Sequence, residues 1–236
     1  MNRLQAELQR LYLPHDAQRQ APGSGAPGLV GPDGRVRAMV LELARPASWN
    51  GLAKVWRGVQ ADLELPAPAI AVSGIDGYQL WFSLSDSVPA AQANAFLEGL
   101  RTRYLGDVAP ERIGMKPSVL PPVERGPGRW SAFVAPDLAA VFADEPWLDL
   151  PPGPDAQADL LSGLESMKPD DLKRALERLS PIHANGITQA APVAAATGLD
   201  PRGFLLDVMN DSAVELHLRI EAAKALLPYF ESERPR

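Results

Sequence analysis

Apolar residues recur along this chain with two periods. Leu4, Leu8, Leu11 and Leu13 fall at mostly helical spacing, which predicts a short amphipathic helix over 3–13. Residues 20–34 are rich in Gly and Pro and read as a loop, closed by the turn signal Gly31-Pro32-Asp33-Gly34. Residues 35–44 alternate as a strand. Val36, Ala38, Val40, Glu42 and Ala44 would face one way, and Arg37, Met39, Leu41 and Leu43 the other. Ser48 is an N-cap candidate for a helix reaching about residue 63, with Leu52, Val55, Trp56, Val59 and Leu63 as its apolar stripe. Residues 69–73 and 78–84 form a hairpin around Gly74-Ile75-Asp76-Gly77. Pro89 opens a helix to about residue 105 that buries Ala93, Phe96, Leu97 and Leu100. Residues 112–119 read as the next strand.

The order strand, helix, strand, strand, helix, strand is the ferredoxin-like β-α-β-β-α-β arrangement. Right-handed crossovers would put both helices on one sheet face. The fold class expected is therefore α+β, with a helix and loop over 1–34, a sheet domain over 35–145 and a helical region over 146–236. Residues 129–135 predict an extra strand and 136–142 a short helix. Further helices are expected near 155–165, 169–179, 188–197, 200–210 and 212–229.

Composition adds limits. Hydrophobic residues are 46% and charged residues 22% of the 236, enough to bury a sizeable core and too apolar for wholesale disorder. No apolar run approaches the ~18 residues of a membrane span, and the first residues do not form a secretory signal. With no cysteine there is no disulfide and no thiolate chemistry, and a cytoplasmic location is the default expectation. The charge is uneven: residues 1–120 carry 12 basic against 11 acidic side chains, residues 121–236 carry 11 against 18. Only the first half has room for a phosphate-binding patch. His15, His183 and His217 lack metal-ligand spacing, so neither a metal nor a cofactor is expected.

Strand parity carries the functional expectation. It sends Gln79 and Trp81 to the same sheet face as Val40 and Glu42, so a carboxylate, an amide and an indole meet on one surface. The run Ser73-Gly74-Ile75-Asp76-Gly77-Tyr78-Gln79-Leu80-Trp81 resembles the hairpin of the archaeo-eukaryotic primase-polymerase superfamily, over roughly residues 35–120. That resemblance implies an active site on such a sheet, with an acidic pair on an early strand and a histidine on the hairpin. Here Met39-Val40-Leu41-Glu42-Leu43 keeps only Glu42 of the pair, and Gln79 stands at the histidine. Two-metal nucleotidyl transfer needs several carboxylates. The resemblance therefore implies a non-catalytic module. Arg112 and Lys116 would contact phosphates of a single-stranded nucleic acid or nucleotide, and Trp81 would stack a base. The plainer roles are open as well: Trp81 packed beneath helices, Glu42 paired with Arg112 or Lys116, and Ser73, Gly74 and Gly77 as turn residues. Residues 200–211 and 218–229 are similar to a helical segment of phage terminase small-subunit-like proteins, implying a docking or DNA-packaging element. Two other functions remain: a scaffold that docks a protein through the C-terminal helices, and an enzyme with a site around Glu42 and Gln79.

Overall fold

The computed structural model describes residues 2–14, 29–31, 33–115, 119–180 and 223–224. The chain divides into two units, Met1–Gly186 and Ile187–Arg236. In the second, Ala223 and Lys224 are described, both helical. The helices expected over 188–197, 200–210 and the rest of 212–229, with the terminase-like segment, lie outside the described residues.

The described part of the first unit forms a six-stranded antiparallel sheet and five α-helices. In chain order these are α1 (Arg3–Leu11), β1 (Arg35–Ala44), α2 (Trp49–Ala61), β2 (Ala69–Val72), β3 (Gly77–Pro89), α3 (Ala90–Tyr104), β4 (Ile113–Gly114), β5 (Val123–Gly126), β6 (Arg129–Val134), α4 (Pro154–Ser162) and α5 (Pro169–Leu179). The strand order is β4-β1-β3-β2-β6-β5. Among the described residues no helix is long and apolar enough to cross a membrane.

Local chemistry accounts for the helix ends. Asn2 caps α1, its side chain accepting from the Gln5 amide at 2.8 Å, with Gln5 reaching back to close a capping box. Ser48 caps α2 through the Gly51 amide. Pro154 and Pro169 stand at the first turns of α4 and α5, where no amide is needed.

Two apolar clusters lie on opposite sheet faces. On one, Met39, Leu41, Leu43, Tyr78, Leu80 and Phe82 pack against Val55 and Val59 of α2, Phe96 and Leu100 of α3, and Leu172 and Ala175 of α5. On the other, Val40, Ala71, Trp81 and Phe133 pack against Leu4 and Leu11 of α1 and Ala158 and Leu161 of α4. The second face is thus covered, and its cover comes from the N-terminal helix and α4.

The alternation expected along β1 holds from Ala38 onward and breaks before it. The register with β3 shifts between Val36 and Ala38. Val36 accordingly joins Met39 and Leu41 in one cluster, while Ala38 joins Val40 in the other. The extra residue is Arg37. It was expected beside Met39; instead its guanidinium turns to the C-terminal end of α1, donating to the carbonyls of Arg10 (2.9 Å) and Leu13 (2.8 Å), and to Leu84 across the sheet (3.1 Å). A cation at a helix C-terminus meets unpaired carbonyls and the negative end of the dipole.

Three strand expectations also changed. β3 runs on to Pro89, five residues past the expected end. Among the described residues of 112–119 the strand is the two-residue β4, paired at Glu42↔Gly114 and Leu43↔Ile113. β5 was not foreseen, because Val123-Glu124-Arg125-Gly126 has no apolar alternation to announce it.

Candidate functional site

The expected juxtaposition is present. Glu42 of β1 and Gln79 of β3 are directly opposite each other, and so are Val40 and Trp81. Gln79 Nε2 donates to Glu42 Oε2 at 2.9 Å, and Trp81 Nε1 donates to Gln79 Oε1 at 2.9 Å. The three side chains form one relay in which the amide serves both neighbours, each through the atom of matching polarity.

The relay runs from the interior to a half-open end. Trp81 is 1% exposed and Gln79 2%. The indole meets Tyr12 edge-on at 5.5 Å and Phe133 at 6.3 Å, so neither ring face is open to a base while α1 is seated. Its N–H needs an acceptor inside the core, and Gln79 supplies one. Glu42, only partly buried, ends the chain. Burial pushes its carboxyl above the ordinary carboxylate range, against the Gln79 hydrogen bond; Asp76 adds to the rise, while Arg125 and Arg45 oppose it. Gly114 stands over this carboxyl, where a Cβ would lie 3.3 Å from Glu42 Cβ.

Ser73 serves the turn between β2 and β3. Its Oγ accepts from the amides of Ile75, Asp76 and Gly77 at 3.0–3.2 Å. Gly74 there has φ +78°, and a Cβ on it would meet the Ser131 amide at 2.7 Å. These are turn-forming roles.

Arg112 does not pair with Glu42. Its guanidinium donates to the carbonyls of Ala44 (3.2 Å) and Pro46 (2.9 Å), pinning the chain just past β1. Lys116 lies outside the described residues. Arg45 and Arg125 were not singled out in the sequence, yet both act on Glu42. Arg45 Nε binds Asp76 Oδ2 at 2.8 Å, and the Arg125 side chain lies against Gly74. Arg45 had a signal: an arginine directly after a strand whose last inward polar residue is an acid. Arg125 had none, because β5 itself was invisible.

Chemically, this end of the sheet offers one carboxyl whose protonated form burial favours, one fully occupied amide and several guanidinium groups. Among the described residues no three or more His, Asp or Glu side chains gather to hold a metal ion. No protein-family model matches this chain, and no curated protein matches its sequence.

Proposed function

We propose that this protein is a non-catalytic, primase-like module that binds single-stranded nucleic acid or a nucleotide in a replication or mobile-element setting, within the cytoplasm where such processes run. The observation that carries the reading is the Glu42–Gln79 pair, opposed on β1 and β3 and joined at 2.9 Å. An acid and a hairpin polar residue meet where the resemblance puts catalytic groups, but as a hydrogen-bonded couple. One carboxyl already engaged by an amide cannot by itself clamp two metal ions. We read β1-α2-β2-β3-α3-β4 as a ferredoxin-like unit extended by β6 and β5. Support comes from the neighbour order β4-β1-β3-β2.

The test is fluorescence anisotropy of a labelled oligothymidylate titrated with the full chain, together with primer extension in the presence of magnesium. Expected are binding that weakens steeply with salt and no extension. Lack of binding at low salt would remove the reading, and extension would remove its non-catalytic half.

A second reading, a scaffold for a protein partner, is favoured by one observation. Leu138, Val141 and Leu150 are 54%, 75% and 75% exposed within thirteen residues of chain. A chain that sediments as a monomer and retrieves no partner, in a form where these three residues are intact, would count against it.

A further inference from the structure

The buried indole leaves open where a nucleic acid would touch this protein. The turn joining β2 to β3 offers an answer, because two arginines from separate parts of the chain meet it and a third holds the backbone beside one of them. Arg45 is tied to the turn through Asp76, at 2.8 Å. Arg125 of β5 lies against Gly74 in the same turn. Arg112 holds the carbonyls on either side of Arg45, those of Ala44 and Pro46. We infer that Arg45 and Arg125, set around this turn, form a phosphate-contacting rim for a single strand or nucleotide, with Arg112 fixing the backbone on either side of Arg45, a site that rests on the nucleic-acid reading above.

Exposure fits that role. The Arg45 side chain is 78% exposed and engages Asp76 through Nε, while Arg125 is exposed. Three of the nearby acids are committed. Asp76 pairs with Arg45, Glu124 accepts from the Gly128 amide, and Glu42 accepts from Gln79 in an environment that disfavours its charge. Arginine is suited to phosphate because its planar donors match two oxygens at once.

The backbone at Arg45 is the more telling feature. Its φ is +57°, a left-handed conformation that glycine adopts freely and an arginine adopts at a cost. An arginine kept at such a position is consistent with a use for its side chain. This also makes the test clean. Arg45→Gly relieves the backbone and removes only an exposed ion pair of small worth, so the chain should keep its urea midpoint.

The experiment titrates the full chain into a labelled oligothymidylate and, separately, into a fluorescent nucleoside triphosphate, comparing wild type with Arg45→Gly, Arg125→Ala and the control Arg57→Ala on the opposite sheet face. Arg45→Gly and Arg125→Ala should each weaken binding roughly three- to tenfold and lower the slope of log affinity against log salt by about 0.7. Arg57→Ala should bind as wild type. A loss confined to one probe tells a strand from a nucleotide. If wild type binds and both turn variants bind equally well, the rim is wrong and the general reading survives. If wild type binds neither probe, both fall together.

Discussion

Gln79 and Trp81 lie two residues apart on β3, and the buried indole N–H of Trp81 donates to the Gln79 carbonyl oxygen at 2.9 Å. The same amide donates to Glu42 with its other end. Core and rim are thus joined by one side chain, and losing its polar atoms strands both partners.

Gln79→Leu should destabilise the protein by about 1–3 kcal/mol, since it leaves the Trp81 N–H buried without an acceptor. Trp81→Phe opens a cavity of its own, but it should cost less in the Gln79→Leu background than in wild type, because there it also removes the orphaned donor. Urea denaturation of both single variants and the double variant measures the coupling. Strict additivity would mean the hydrogen bond contributes nothing.

Glu42 gives a pH dependence. Burial raises its folded pKa above the ordinary 4.5, so folding favours the protonated form. Its contribution is most favourable below the unfolded pKa and is lost as the pH rises through the folded value. Glu42→Gln removes that loss and keeps an acceptor for Gln79. The variant should be at least as stable as wild type at about pH 8, and its relative advantage should shrink towards about pH 4. Urea midpoints across that range decide it, and an advantage that grows on acidification would contradict the direction.

Arg37 is 3% exposed and holds the last turn of α1 by its carbonyls. Arg37→Ala leaves those carbonyls and that of Leu84 unpaired. It should cost about 3 kcal/mol or more, with hydrogen bonds from a charged donor worth about 1.5–3 each. Release of α1 would expose Trp81, so the folded variant should show red-shifted tryptophan emission and earlier cleavage near its N-terminus. Unchanged emission would show that α1 stays seated without the guanidinium.

Gln157 of α4 imitates a strand. Its Oε1 accepts from the Phe133 amide at 2.8 Å and its Nε2 donates to the Phe133 carbonyl at 2.9 Å, continuing the ladder on β6 beyond the reach of β5. Gln157→Leu should cost about 2 kcal/mol or more by leaving a buried peptide group unpaired. Amide hydrogen exchange at Phe133 should accelerate more than at Ala132. Equal protection at both would mean the contact is dispensable.

The sequence by itself determined what depends on neighbours along the chain. Leu52, Val55 and Val59 announce α2 at helical spacing and Ser48 its start. The alternation from Ala38 to Glu42 and from Tyr78 to Trp81 put Glu42, Gln79 and Trp81 on one face, because strand side chains strictly alternate. The tertiary structure decided what depends on distant partners. Arg37 leaves its expected face because a one-residue bulge reverses parity locally and the carbonyls of α1 are there to receive it. β5 exists because β6 offers an edge, and its own residues carry no apolar period. Arg45 and Arg125 are far apart in the chain, and only the packing of β1, β3 and the β5–β6 hairpin brings them to one turn. Local periodicity records which way a side chain points, while the identity of what it meets is a property of the closed chain.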